Sequence, residues 1–107
     1  MIKPTNGRVV WYTPYKNELM SPYGMVTNRD ESGKVIPLAA IVCAVHGDRM
    51  VNLLVIDANG RFFPVTSRAL LQDDDVANEH GGYCEWMPYQ KSVAKGEIAP
   101  TLHAQPK

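Results

Sequence analysis

The sequence predicts an all-β fold, a small five-stranded barrel or a curled antiparallel meander, and three observations support this prediction. First, the 107 residues are 45% hydrophobic and 21% charged, which suits one globular domain with a single core. Second, runs of β-branched and aromatic residues alternate with turn sequences such as Asn59-Gly60. Third, two consecutive runs are almost wholly apolar, which antiparallel strands show when both faces are covered, as in a tightly curled barrel.

The first strand is predicted at residues 8–13, a run that follows Asn6-Gly7 and ends at Pro14. From residue 14 to residue 37 the apolar pattern loses its period while proline and glycine accumulate, which indicates a long first loop. A loop of this length in a compact domain is typically functional or partner-binding. A short internal hairpin within it is left open.

The centre of the chain is interpreted as a meander of three strands. These strands are residues 38–45, 50–56 and 61–66. Gly47-Asp48 is the candidate turn for the first connection, because both residues tolerate the positive φ that tight hairpin turns require. Asn59-Gly60, the strongest short-range hairpin signal, supplies the second connection.

The rest of the chain completes the element order. Residues 67–72 are predicted to form one helical turn capped by Ser67, and residues 83–87 a final strand. This order, with its long first loop, is that of an SH3-like barrel. We therefore predict a β-barrel domain over residues 1–90 and a flexible tail over residues 91–107, which lacks aromatic residues and contains helix-breaking prolines.

Charge is unevenly distributed along a chain whose formal net charge is zero. Residues 1–68 carry eight basic and five acidic side chains, whereas residues 69–90 carry five acidic and no basic ones. The overall neutrality argues against a dominant phosphate-binding surface, so nucleic acid is not the expected partner. No apolar run approaches the roughly 20 residues of a membrane-spanning helix, and the first residues do not resemble a signal peptide. We expect a soluble, intracellular protein.

Several short segments occur in the order found in one group of small proteins. They are residues 7–12, 39–42, 51–53, 57–60 and 83–88. In these segments the chain resembles uncharacterised proteins encoded by tailed bacteriophages and prophages, over about residues 6–90. The resemblance implies a phage origin, and with it a location in the host cytoplasm or, for a structural component, in the virion. It implies no catalytic or binding residue.

Two pairs of cysteine and histidine have spacings similar to those of the ligands in a structural zinc site. Cys43 and His46 are three residues apart, and His80 and Cys84 are four apart. Residues three apart in a strand point to opposite faces, so the first pair shares a metal only if its strand ends before His46. Cys43 is instead interpreted as a buried cysteine, and no metal is predicted.

No arrangement typical of catalysis or of a cofactor is present. The run Asp73-Asp74-Asp75, followed by Glu79, lacks the glycine and the glutamate that an EF-hand calcium loop requires. We interpret it as a solvated acidic segment or as a contact for a basic partner. Serine-hydrolase, phosphate-loop and zinc-protease motifs are missing from the sequence. We therefore expect a non-enzyme without a cofactor.

The aromatic residues supply the main candidate binding site. Those predicted to meet on one side of the barrel, together with the acidic run, are Tyr12, Tyr15, Tyr23, Tyr83, Trp86, Asp73, Asp74 and Asp75. Exposed tyrosine and tryptophan suit protein contacts, although aromatic residues also fill small cores. The favoured function is a non-catalytic protein–protein interaction module of phage origin that binds a host or phage protein, as an accessory protein or a virion component.

Two alternatives stay open. In the first, the barrel is associated with nucleic acid and stacks bases on exposed aromatic rings. In the second, a pocket under the long loop serves an enzyme or a small-ligand binder. The sequence leaves the oligomeric state undetermined.

Overall fold

Five strands close into a barrel in the computed structural model, which describes residues 1–20 and 22–96. The strands are β1 (Val9–Thr13), β2 (Leu38–Gly47), β3 (Met50–Ile56), β4 (Phe62–Leu71) and β5 (Tyr83–Glu85). A 3₁₀ helix spans Lys16–Leu19, and the short helix α1 spans Pro88–Ala94. The predicted all-β, SH3-like barrel is confirmed.

The barrel closes because its first and last strands pair with each other. β1 through β4 form an antiparallel meander in chain order. β5 then lies between β4 and β1, parallel to β4 and antiparallel to β1, so that Trp11 pairs with Glu85. Full closure leaves the paired segments of these strands without an open edge.

The core is the inner side of the barrel, where alternate residues of each strand meet. Val10 and Tyr12 of β1 point inward, as do Val51, Leu53 and Val55 of β3. This period of two follows from strand geometry, in which successive side chains point to opposite faces. Both sides of β2 and β3 are apolar in the sequence, so topology decides which side becomes the core.

The predicted strands of the meander are confirmed, but one turn is displaced. β2 continues to Gly47, which pairs with Met50, so the turn lies at residues 48–49 instead of Gly47-Asp48. Two register shifts in the β2–β3 pairing lengthen β2 and move the turn along the chain. The Asn59-Gly60 connection between β3 and β4 lies where it was predicted, and Gly60 adopts a φ of 80°.

The helical turn predicted at residues 67–72 is wrong. β4 runs on to Leu71, and Ser67, the expected helix cap, instead has a φ of 55°. The β3–β4 register shifts between Val51 and Leu53, next to this residue. Beyond it, residues 69–71 pair with β5, and this tertiary pairing outweighs the weak local helical preference.

The described residues of the long connection between β1 and β2, 14–20 and 22–37, form no regular strand, as predicted. Its far end includes the short hairpin that the sequence left open, because Arg29 and Val35 form an isolated bridge. The Asp30 carboxylate stabilises the turn of this hairpin by accepting hydrogen bonds from the backbone N–H groups of Ser32 and Lys34, at 2.9 and 3.0 Å.

The end of the predicted domain at residue 90 does not coincide with a break in secondary structure. α1 starts with Pro88 in its first turn, where a missing N–H costs nothing, and continues to Ala94. The part of the predicted tail over residues 97–107 lies outside the described residues. Within residues 1–20 and 22–96, no helix has the length and apolar character to cross a membrane.

Candidate functional site

Two of the aromatic residues predicted to bind a partner belong to the core. Tyr12 is fully buried, and Trp86 is 2% exposed. The indole N–H of Trp86 donates to Oε1 of Gln72 at 3.2 Å, and the Arg8 guanidinium lies 4.8 Å from its ring centre. Tyr12 is inaccessible to a partner of the folded barrel, which corrects its assignment to the contact surface. Trp86 is almost wholly buried, but it borders a cavity of about 360 Å³ that Asp73, Asp74 and Asp75 also line.

The three remaining tyrosines lie in different surroundings. Tyr15 is half-buried, with its ring against Gly82 and 5.3 Å from the Arg68 guanidinium. A Cβ atom at Gly82 would overlap the Tyr15 ring, so this close approach requires glycine. Tyr23 is 48% exposed on the long connection. Tyr83 lines a groove on the barrel surface.

The acidic run is largely committed to contacts within the chain. Asp73 pairs with the amino group of Met1 at 3.0 Å. Asp75 accepts hydrogen bonds from the backbone N–H of Gln72 at 2.8 Å and from Arg49 at 2.9 Å, and both contacts lower the pKa of its carboxyl. Asp74 is exposed. None of the three aspartates lines the groove that holds Tyr83.

The cysteines and histidines weighed as zinc ligands do not converge. The ring of His46 is hydrogen-bonded to Asn52 at 2.9 Å, and His80 is exposed. Cys84 is buried, whereas Cys43 is exposed, so its interpretation as a buried cysteine is wrong. Across the described parts of the chain, no group of three or more histidine, cysteine, aspartate or glutamate residues is placed to hold a metal ion.

The groove that holds Tyr83 is the candidate site that the exposed aromatic residues indicate. It lies between the outer side of β1 and β5 and the hairpin end of the long connection, and it encloses about 360 Å³. Its walls are mainly apolar, with charged groups at the rim. The lining residues are Trp11, Thr13, Asp30, Lys34, Val35, Ile36, Pro37, Tyr83 and Glu85. Such a site suits an extended apolar segment, and Glu85 adds a negative charge beside Trp11.

A buried polar network fixes the near end of the long connection to the barrel. Glu18, 2% exposed, accepts a hydrogen bond from the Tyr12 hydroxyl at 2.6 Å and pairs with the Arg68 guanidinium at 2.8 Å. Arg68 Nε also donates to the Tyr12 hydroxyl at 2.8 Å. Burial, followed by the hydrogen bond to Glu18, raises the pKa of Tyr12 above its usual range, so the phenol stays protonated and donates.

A second buried carboxylate fixes the middle of the same connection. Asp57, whose side chain is fully buried, accepts hydrogen bonds from the backbone N–H groups of Val26 at 3.1 Å and Arg61 at 2.9 Å. Burial raises the pKa of this carboxyl, but the backbone hydrogen bonds outweigh burial and leave it lowered. Arg61 in turn donates to the carbonyl oxygen of Gly24 at 2.6 Å. The connection that forms one wall of the groove is therefore held at two points.

Two rows of apolar residues run from the groove around the outer side of the closed barrel. The strand registers align two outward rows across β1 to β4, and residues directly opposite each other in a ladder share a face. We call these residues the apolar face: Val9, Ile41, Leu54 and Pro64 in one row, and Trp11, Ala39, Ile56 and Phe62 in the other. All eight are apolar, and Phe62 is 65% exposed. Trp11 belongs to both the face and the groove.

Comparison of the chain with protein-family models, with curated proteins and with solved structures finds no match. The geometry of the described residues alone therefore indicates the site. Sequence reasoning missed the apolar face, although its signal was present. The unbroken apolar runs were taken to mean that both sides of the strands are covered, whereas the structure exposes part of one side.

Proposed function

We propose that the protein is a non-catalytic protein-binding module that takes an extended segment of a partner protein into the groove. The observation that carries this proposal is the aromatic and apolar groove wall formed by Trp11, Tyr83 and Pro37. Aromatic-lined grooves bind extended, proline-containing segments at low entropic cost, because such segments are already stretched out. A basic side chain in the segment would complement Glu85 at the rim.

The two buried anchors support binding at this groove. The network around Glu18 and the hydrogen bonds to Asp57 hold the part of the long connection that leads into the groove wall, and the Asp30 carboxylate stabilises the hairpin turn of the wall itself. A wall that is already ordered loses little conformational entropy when a partner binds. The resemblance to phage-encoded proteins makes a host or phage protein the natural partner, for an accessory protein or a virion component alike.

Nucleic-acid binding receives less support from the same contacts. Tyr12 and Trp86, two of the rings considered for base stacking, are buried. Arg8 lies over Trp86, and Arg68 is engaged with Glu18, so both cations already have partners within the chain. We expect no binding of single-stranded DNA at about 100 mM salt. Salt-sensitive binding at micromolar concentrations would favour the nucleic-acid alternative.

Selection from a library of displayed peptides tests the proposal. The purified protein is presented to random segments of about 12 residues, and enriched peptides are titrated against it by tryptophan fluorescence, because binding in the groove would change the emission of Trp11. We expect enrichment of extended apolar peptides that contain proline and a basic residue.

Two tyrosine variants provide a matched comparison. Tyr83→Ser removes a wall of the groove, whereas Tyr23→Ser removes an exposed ring outside it. We expect affinity to fall at least about 10-fold for Tyr83→Ser and to stay unchanged for Tyr23→Ser. Absence of any enriched peptide, or equal affinity for both folded variants, would overturn the proposal.

A further inference from the structure

We propose that the groove and the cavity beside Trp86 form one continuous binding site, in which the cavity takes an acidic residue of the bound partner segment. This inference rests on the proposed function and deepens it, because it gives the charge pattern of the partner. Glu85 lines both the groove and the cavity, so one side chain separates the two. A segment that leaves the groove at Glu85 therefore meets the cavity next.

β5 and the residue after it build the junction between the groove and the cavity. Tyr83 and Glu85 lie on the outer side of β5, because Cys84 between them is buried. Trp86 then turns inward, where its indole N–H is held by Gln72, and one edge of the ring borders the cavity. Alternate residues of a strand are about 7 Å apart, a distance that two residues of an extended segment span.

α1 forms another wall of the cavity and supplies its basic groups. Lys91 and Lys95 both line the cavity, and their spacing of one helical turn places them on the same side of the helix. The Gln90 side chain fixes α1 to the barrel, because it donates to the carbonyl oxygen of Val9 at 2.8 Å and accepts from the backbone N–H of Met87 at 2.7 Å. Among residues 1–20 and 22–96, neither lysine forms an ion pair.

The acidic groups of the cavity differ in their availability to a partner. Asp73 and Asp75 are each paired with a basic group of the chain. Asp74 and Glu85 also line the cavity, and within the described parts of the chain neither forms an ion pair. The cavity therefore offers two carboxylates and two ammonium groups to an occupant, which suits neighbouring basic and acidic residues better than a run of one charge.

The positions of these charges set the order of the two residues in the segment. Glu85 is shared with the groove, whereas Lys91 and Lys95 line only the cavity. A basic residue that pairs with Glu85 at the junction is therefore followed, away from the proline-containing part, by an acidic residue that pairs with the lysines. The cavity encloses about 360 Å³, near the lower end of the range for ligand sites, and so accommodates one or two side chains.

The peptides selected from the displayed library reveal this charge pattern. We expect an acidic residue within about three positions of the basic residue, on the side away from proline. Selection against Lys91→Glu should lose this preference, because the variant reverses a charge in the cavity. Lys16→Glu is the matched control, since Lys16 is exposed and lines neither the groove nor the cavity, and it should select the same peptides as the wild type.

A double-mutant cycle on the full chain then measures the contact between the acidic residue and Lys91. A labelled selected peptide, and a copy whose acidic residue is replaced by the corresponding amide, are titrated by fluorescence anisotropy against the wild type and Lys91→Gln. Each change alone should weaken binding about 5-fold, and both together should weaken it no further, because they remove the same ion pair. Lys16→Gln should leave the Kd of both peptides unchanged.

Three results would overturn this inference. The first is equal selection of acidic residues by the wild type and Lys91→Glu. The second is additive or absent losses in the cycle, and if Tyr83→Ser still weakens binding, the proposed function stands while this inference fails. The third is a charge effect that appears only after truncation following residue 96, which would mean that the C-terminal residues of the chain itself fill the cavity. Failure to select any peptide would instead overturn the proposed function, and this inference with it.

Discussion

The inner and outer sides of the same strands have similar side chains and different surroundings. On β3, Leu53 faces the core while Leu54 lies on the apolar face. On β1, Val10 is fully buried while Val9 is 39% exposed. The inner side stabilises the fold, because its residues lose contact with water. The outer side carries apolar side chains of the same types that stay partly in contact with water.

The largest expected difference between the inner and outer sides is in the reaction rates of the two cysteine thiols. Burial raises the pKa of Cys84 to about 12, whereas Cys43 is exposed on the outer side of β2. At about pH 8 a thiol with such a pKa is ionised in roughly one molecule in 10⁴, and its burial also blocks the reagent. We expect Cys84 to react at least about 1000-fold more slowly than Cys43 with a disulfide reagent.

Absorbance after mixing the native protein with the reagent measures both rates. Cys43→Ser should abolish the fast phase, and denaturant should expose the second thiol. Fast reaction of two thiols in the native protein would show that Cys84 is not held inside the barrel.

The leucine pair of β3 should differ in its effect on stability. Leu53→Ala leaves a cavity in the core and is expected to lower the free energy of unfolding by about 2 to 5 kcal/mol. Leu54→Ala leaves no enclosed cavity and should cost roughly 1 kcal/mol or less. Urea unfolding measures both values. Similar losses for the two variants would contradict the assignment of the two sides.

Removing a tyrosine hydroxyl should cost more stability inside the barrel than at its surface. Tyr12→Phe removes a buried hydroxyl bonded to Glu18 and Arg68, and it should cost about 1 to 3 kcal/mol because both charged groups lose a partner. Tyr83→Phe removes a hydroxyl of a half-buried ring at the groove and should be nearly neutral. Thermal unfolding by circular dichroism measures the two shifts, and an unchanged melting temperature for Tyr12→Phe would argue against the network.

The smallest effect is expected for the most exposed residue of the apolar face. Phe62→Ser should change the free energy of unfolding of the monomer by no more than about 0.5 kcal/mol. Chemical denaturation measures this free energy. A loss of several kcal/mol would mean that Phe62 supports the barrel itself.

Much of the fold could be predicted from the sequence because its signals are local. The Asn59-Gly60 turn and the apolar runs on either side of it specify the β3–β4 hairpin. The prediction at residues 67–72 was wrong because Ala69, Leu70 and Leu71 suit a helix or a strand equally. Pairing with β5, which is distant in the sequence, decides between these structures.

The site was less predictable, because exposure depends on which side of a strand turns inward. Val9 and Trp11 alternate with Val10 and Tyr12, and both pairs are apolar or aromatic. The sequence does not determine which pair is exposed. Tyr12 was therefore predicted to be a contact residue, and Trp11 was left out of the predicted site. Trp86 was likewise misplaced, because its burial depends on Gln72 and Arg8, which other elements supply.

Closure of the barrel by the β1–β5 pair has a consequence for synthesis of the chain. Trp11 leaves the ribosome long before its ladder partner Glu85, and translation proceeds at about 5 to 20 residues per second. During those seconds β1 can pair only with β2, and the side of β1 that later receives β5 stays open to other strands. Such late, non-local pairing is slow and favours aggregation. We therefore expect the nascent chain to depend most on chaperones during this interval of translation.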